Sequence, residues 1–265
     1  MSGPYRICSR CVMDTSDPQI SFDDVGVCNH CREYDAKQQA LPRPGDTAAL
    51  DALVQRIRRG GARKEYDCVL GVSGGVDSSY TAMKAVDLGL RPLAVHFDNG
   101  WNSELAVQNI ERLVKTLSID LCTFVVDWHE FRDLQLAFLK ASTPDAEIPT
   151  DHAILALLRR VAVARRVRYL VLGRNARTES HLPRAWSQGH TDWNYIRGVH
   201  RLFGTRPLAT YPHYGRFRDL VDRLRLEHVD LLNYVDYVKE HAKAHPGITR
   251  KAGHLGLQDH GSSLT

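Results

Sequence analysis

Apolar residues change their spacing repeatedly along this chain, and the changes mark out its elements. Cys68 to Val72 is a short apolar, β-branched run, which predicts a buried strand. Behind it Tyr80, Met83 and Val86 recur at helical spacing and predict a helix over Ser78–Leu88. Pro92–Phe97 is a second apolar strand. Ser103–Leu117 is a helix with Leu105, Ile110, Leu113 and Leu117 largely on one stripe. Asp120–Val126 reads as a third strand, Glu130–Lys140 and Asp151–Arg166 as helices, and Tyr169–Leu172 as a fourth strand ended by Gly173. Strand and helix in alternation predict an α/β fold with a doubly wound parallel sheet, whose ligands lie beyond the carboxyl ends of the strands.

Outside this alternation the pattern weakens. Asp51–Arg59 reads as a short amphipathic helix closed by Gly60 and Gly61, and residues 36–46, with Pro42, Pro44 and Gly45, as a linker. Residues 174–215 are rich in Arg, His, Trp and Tyr and mostly irregular, apart from a helix near Asp192–Phe203. Phe217–Leu226 and Tyr234–Ala244 are expected helices, followed by a glycine-containing tail from His245. The expected domains are therefore 1–46 (a cysteine module and linker), 47–215 (the sheet domain) and 216–265 (a C-terminal helical segment and tail).

Composition narrows the class without deciding it. At 265 residues, 43% hydrophobic and 25% charged, the chain can bury a core. A net charge of +4 without a block of like charge neither demands nor excludes nucleic acid, and it suits nucleotides and acidic sugars. No apolar stretch is long enough to span a membrane, and the N-terminus lacks a signal-peptide core. Six cysteines, four of them in two Cys-x-x-Cys pairs, point to metal binding in a reducing compartment, so a cytoplasmic protein is expected.

Those pairs are Cys8/Cys11 and Cys28/Cys31, with sixteen residues between them. Each holds two thiolates on a tight knuckle, and together they fit a tetrahedral zinc site. Four thiolates leave no open position for water, so the ion would be structural and His30 a neighbour. Two redox pairs are the alternative, without the strand-and-helix context such motifs use.

The chemistry centres on Ser73, Gly74, Gly75, Val76, Asp77, Ser78 and Ser79, between the first strand and its helix. The glycines permit close backbone approach, and the hydroxyls and first helical N–H groups would meet an oxyanion at a positive helix end. There is no Gly-Lys-Ser/Thr ending and no three-glycine fingerprint. The loop instead resembles that of the PP-loop ATP pyrophosphatases (adenine nucleotide alpha hydrolase-like enzymes), which cut ATP between its α and β phosphates. Asp77, and Asp98 at the end of the second strand, are candidates to hold Mg²⁺. Val95, His96 and Phe97 are candidates to flank the adenine, with a core histidine an equal reading of His96. Cys68 and Cys122 lie inside apolar strands, so a sulfur-transfer cysteine is not evident.

Three later stretches sharpen the likeness: Asp127–Gln135, Pro149–Ala153, and Gly173–Glu179 followed by Trp186, His190, Asp192 and Trp193. With the Cys8–Asp14 and Tyr66–Gly75 stretches they resemble the N-acetyl sugar amidotransferase family of bacterial surface-glycan biosynthesis, from about Tyr5 to Tyr237. That resemblance implies ATP, Mg²⁺ and Zn²⁺ as cofactors and an N-acetylated sugar or nucleotide sugar as substrate, with conversion of its acetamido group to acetamidino. It also implies ammonia from glutaminase subunits similar to those of imidazole glycerol phosphate synthase, and leaves room for a homodimer. On this reading Asp151, His152, Arg174, Asn175, Thr178 and Glu179 line the acceptor side. Asp151, Asn175 and Glu179 join Ser73, Asp77 and Asp98 as catalytic candidates, and Gly173 lies beside the nucleotide. Trp186 and Trp193 offer flat faces to a sugar or pack in the core. Arg174 and Arg177 hold a diphosphate or form surface ion pairs, and a solvated helix face is the other reading of Arg132, Asp133 and Gln135. A longer, basic, aromatic-rich C-terminal segment than the one ending at Thr265 is expected for the family. The alternatives are a tRNA-thiolating PP-loop enzyme and a non-catalytic nucleotide-binding zinc subunit.

Overall fold

The computed structural model describes residues 4–43, 45–177, 179, 183 and 192–243. Five parallel strands form one sheet in the order β3-β2-β1-β4-β5: β1 Cys68–Gly71, β2 Pro92–Asp98, β3 Leu121–Val125, β4 Tyr169–Leu172 and β5 Glu227–Asp230. The central strand is sealed on both faces, with Cys68, Val69 and Leu70 all fully buried, which is why it reads as an unbroken apolar run. One face carries α2 (Thr47–Gly61), α3 (Val76–Asp87) and α4 (Glu104–Leu117) over Leu70, Ala94 and Val171. The other carries α5 (Trp128–Lys140), α6 (Ile148–Ala164) and α7 (Trp193–Phe203) over Val69, Val95 and Leu170.

From β1 the chain winds through α3 to β2 and then β3. It returns through α5 and α6 to β4 on the opposite side of β1. The strand order therefore reverses between β1 and β4, and the crevice above their carboxyl ends is where a doubly wound sheet binds its ligand.

Several expected elements change. Residues 36–40 belong not to a linker but to α1 (Asn29–Ala40), whose polar sequence gives no amphipathic signal because the helix buries none of its residues. α2 runs on through Gly60 and Gly61. α8 occupies Arg216–Arg225, and the stretch after it is the fifth strand, pairing with β4, rather than part of a helical appendage. Of the helix expected over Tyr234–Ala244, the described residues form only a short α9 at Lys239–Lys243, and a 3₁₀ turn at Leu231–Asn233 precedes the expected span. Leu232, Tyr237 and Ala242 pack there on Val76, Tyr80 and Met83 of α3. Among the described residues no helix is long and apolar enough to cross a membrane.

Candidate nucleotide and metal sites

The loop after β1 forms the turn its residues dictate. Gly74 has φ +77°, and a Cβ there would lie 2.5 Å from the Ala106 carbonyl oxygen, so this position accepts only glycine without displacement. Asn109 Nδ2 of α4 donates to the Gly74 carbonyl at 3.1 Å. Gly75 is the N-cap of α3 and brings no side chain to the helix end, which leaves the first-turn N–H groups for an anion. The Ser73 and Ser78 hydroxyls are 3.1 Å apart, and Gly75 N donates to Ser73 Oγ at 3.4 Å. These groups form a compact donor set at a positive helix end, suited to phosphate oxygens. Ser79 and Val76, by contrast, are buried.

Across the crevice, Gly173 ends β4. A Cβ there would stand 3.2 Å from the Ser78 nitrogen and Cα, so glycine lets the strand end approach the first turn of α3. Glu179 follows, half-buried, and accepts the Asn175 amide at 3.1 Å. Burial raises its carboxyl above the ordinary range, and the charges of Asp230 and Asp77 add to this, while the Asn175 amide and Arg174 act against it. Asp77 and Glu179 therefore share one electrostatic neighbourhood.

Both magnesium candidates already have partners. The Tyr237 hydroxyl donates to Asp77 Oδ1. Asp98 Oδ1 accepts Gly100 N at 3.0 Å and Asn102 Nδ2 at 2.9 Å. Those bonds use neither Oδ2, and one or two carboxylate oxygens beside phosphates are what magnesium requires, so the donor set fits it. Asn102 Nδ2 also lies 3.3 Å from His96 Nε2, and His96 Nδ1 meets the Val72 carbonyl at 3.0 Å. Since a carbonyl accepts, Nδ1 carries the proton and Nε2 accepts from Asn102. His96 is thus a buried, fully bonded core histidine linking Asp98 to the end of β1. Val95 and Phe97 are core side chains as well, Phe97 packing on Phe124 and Phe131.

The acceptor-side expectations divide. His152 is fully buried, so it is no substrate contact. It stacks on Tyr214 with centroids 4.4 Å apart and accepts the Tyr214 amide at 3.3 Å. Trp193 is half-buried with one face against His213 at 4.1 Å, so a sugar could not lie on that face. Trp193 also lines a cavity of about 640 Å³ along α7, with Arg197, Arg201 and Leu208, to which none of residues 73–79 contributes. Asn175 is 2% exposed, and its Oδ1 accepts the Arg177 amide at 2.8 Å, so it shapes the turn. Asp151 lies in the first turn of α6, near enough to Tyr211 that its charge helps burial to raise that phenol's pKa.

Arg174 pairs with Asp230 at 3.1 Å, an exposed ion pair. Arg177 forms neither an ion pair nor an open diphosphate fork. It donates to the Asn233 carbonyl at 2.9 Å and to that of Pro42. Asp133 belongs to no solvated face, because it accepts the Thr205 amide and hydroxyl, the Arg206 amide and His200. Gln135 accepts the Trp101 indole N–H at 2.6 Å, and Arg132 is exposed. Thr178, Trp186 and His190 lie outside the described residues. Sequence reasoning missed Asn102, Asn109, Tyr237 and Asn233, whose partners are all distant in sequence or on another element.

The four N-terminal cysteines converge, with all their sulfur atoms within 4.8 Å of one another. The pairs Cys8/Cys31 and Cys11/Cys28 are 4.0 and 3.7 Å apart. Tetrahedral zinc with Zn–S bonds of about 2.3 Å places its sulfurs roughly 3.8 Å apart. Amides of Arg10, Cys28 and Cys31 donate to the sulfurs at 3.3–3.4 Å, which favours thiolate. The donor set therefore fits zinc. His30 stays outside it, bonded to the buried Asp17 at 2.6 Å.

The NAD synthase family profile matches residues 47–192, from α2 to the cap of α7. The chain belongs to the NAD synthase family, within the PP-loop ATP pyrophosphatases. Enzymes of this family use ATP with Mg²⁺ and form AMP, and residues 73–79 lie within the matched region. No curated protein matches the chain. Among solved structures it is similar to the NH3-dependent NAD synthetase from Campylobacter jejuni, at 17% identity and a TM-score of 0.37, over 49% of this chain and 55% of that one. The chain thus spans about half the length of that protein. It is also similar to the predicted subunit of tRNA methyltransferase from Methanocaldococcus jannaschii, at 14% identity and a TM-score of 0.38, over 67% and 74% of the two chains. The glutamine-dependent NAD+ synthetase from Acinetobacter baumannii follows at 20% identity and a TM-score of 0.35, over 45% and 24%.

Proposed function

We propose that this NAD synthase family member is an amidotransferase that converts the acetamido group of an N-acetylated sugar or nucleotide sugar to an acetamidino group. The observation that carries the reading is where the thiols lie. Four of the six cysteines form the metal cluster. Cys68 is the first residue of β1, at the strand end opposite the loop. It is fully buried, and that burial, helped by the charge of Asp67, pushes its thiol up to about 12. Cys122 is second on edge strand β3 and packs on the core. Neither stands at the carboxyl end of β1 or β4, so the nucleophile comes from outside, and ammonia fits.

An amide carbon is a poor electrophile. Its oxygen therefore attacks the α-phosphorus of ATP while pyrophosphate leaves, with the loop N–H groups stabilising the charge that moves onto it. Ammonia adds to the resulting imidate carbon, AMP departs with the former amide oxygen, and loss of a proton leaves the amidine. Glu179, its carboxyl raised above the ordinary range by burial, is suited to take that proton. Glutaminase subunits similar to those of imidazole glycerol phosphate synthase would supply the ammonia.

The test is incubation with ATP, Mg²⁺, ammonium and a UDP-di-N-acetyl sugar acid. AMP and a product with oxygen exchanged for NH are expected. Formation of ADP, or no sugar-dependent AMP from any acetamido sugar, refutes the proposal. Turnover should survive Cys68→Ser and Cys122→Ser, and its loss in either would favour thiolation instead.

A further inference from the structure

The cysteine module does not hang free of the sheet. Cys28 is the N-cap of α1 and Cys31 lies in its first turn, so two of the four sulfurs are part of the helix end. Arg10, between Cys8 and Cys11, grips Asp35 of the same helix through both guanidinium nitrogens. Further along, the Tyr34 hydroxyl donates to the Arg177 carbonyl at 3.2 Å and Gln38 Nε2 to the Ala176 carbonyl at 2.7 Å. Just past α1 the Pro42 carbonyl accepts from the Arg177 guanidinium. The Ala176 amide is held from the other side by Asn233 Oδ1 at 3.0 Å. Residues 176 and 177 are thus clamped between α1 and the turn after β5.

Their position matters because they sit between Gly173, which touches the first turn of α3, and Glu179. The helix that reaches them has little support of its own. It is twelve residues long and buries none of them, and isolated helices of that length are marginal in water. Among the described contacts, those that tie α1 to the loop after β4 and to the cysteines lie at its two ends, about 10 Å apart along the axis from Cys31 to Gln38.

We infer that the four-cysteine module is a positioning device for the loop at residues 173–177, with Tyr34 and Gln38 as the positioning residues, and that metal held by the cysteines sets the loop's geometry. The inference rests on the reading that this loop faces the acceptor. Metal organises the first turn of α1, the helix carries that order two turns along, and two donors pass it to adjacent carbonyls.

The test uses the full chain and reads hydrogen exchange first. Stripping zinc with a chelator should speed exchange of the amides of Asn175, Ala176, Arg177 and Glu179 while those of β1 stay protected. Tyr34→Phe combined with Gln38→Ala should keep its zinc yet speed the same amides, by about fivefold to tenfold for each lost bond. Gln38→Lys, which retains an N–H donor, should restore protection lost in Gln38→Ala. In the double variant, sugar-dependent AMP formation should fall in kcat with the KM for ATP unchanged. Loop exchange unaltered by both zinc removal and the double variant overturns the inference, as does loosening that spreads equally to β1. Should no acetamido sugar support AMP release, the proposed function fails, whereas the exchange result still decides the coupling.

Discussion

Replacing Gly74 by alanine separates two glycines that look interchangeable in the sequence. At Gly74 the φ of +77° costs an L-residue about 1–2 kcal/mol. The new Cβ would also meet the Ala106 oxygen at 2.5 Å and the Ala106 Cα at 3.0 Å. These are backbone atoms of a buried residue on α4, and a rotamer change cannot relieve them. Forced repacking of this kind costs about 1–3 kcal/mol. The sum is about 2–5 kcal/mol, a large share of a typical domain's stability. The displaced Gly74 carbonyl would also pull away from Asn109. At Gly75 the φ is −82°, and a Cβ would meet only Ser73 Oγ, at 3.4 Å. Gly75→Ala should therefore fold within about 1 kcal/mol of the parent, and whatever it loses in ATP affinity reports backbone approach to phosphate. Urea unfolding gives the stabilities and titration with Mg-ATP the affinities. Equal destabilisation by the two substitutions, or a Gly74→Ala protein as stable as the parent, would refute the steric account of the loop.

Three further outcomes are expected. Purified protein should carry about one zinc per chain by atomic absorption, and Cys28→Ser, which removes both a ligand and the α1 cap, should carry almost none. Glu130 is buried and accepts the Thr210 amide and hydroxyl and the Tyr211 amide. Glu130→Gln should therefore cost about 2 kcal/mol in urea unfolding, since one neutral amide oxygen can still accept the Thr210 and Tyr211 amides while the amide nitrogen cannot accept from the Thr210 hydroxyl. For Asp133, burial pushes the carboxyl up, but the Thr205 hydroxyl and amide, the Arg206 amide and His200 together hold it well below the ordinary range. A depressed folded pKa stabilises above the unfolded value and loses that contribution as pH falls through the folded one. Asp133→Asn should thus lower the melting temperature at neutral pH and converge with the parent in strong acid.

What the sequence reveals depends on whether an element's reason for existing is local. The buried strands β1, β2 and β4 announce themselves because both faces are covered, so nearly every residue is apolar. β5 has the sequence Glu-His-Val-Asp, with Val229 its one buried residue, and it is a strand only because β4 offers an unpaired edge. α1 is equally silent, since a helix with no buried face leaves no periodic trace; its cause is a cysteine cap. The loop at residues 73–79 is legible for the opposite reason. Close approach, an uncapped helix start and clustered hydroxyls are all properties of seven consecutive residues.

The acceptor side shows why the same logic misleads one shell further out. Polar and aromatic residues gather beyond strand ends both to meet ligands and to hold the long connections that cross there, and residue type alone does not separate the two uses. Asn175 looks like a substrate contact, yet its amide oxygen closes a turn two residues on. His152 and Trp193 look like sugar-facing groups, yet they belong to an aromatic stack with Tyr211, His213 and Tyr214, contributed by a segment about 60 residues away from α6. Arg177 looks like a phosphate fork, yet it is spent on two carbonyls, one of them beside the cysteine module. Among the described residues the expectations left standing form a shorter list: the loop itself, Asp98, Asp151, Glu179 and Arg174. Of these, Glu179 is the one whose environment alters its chemistry. On the proposed mechanism, its raised pKa would place the acid limb of kcat above the pH at which a free glutamate titrates. Glu179→Gln should therefore remove that limb along with most of the turnover while leaving Mg-ATP binding in place. An unshifted acid limb in the variant would assign the titration to another group and return Glu179 to a purely structural part in the turn.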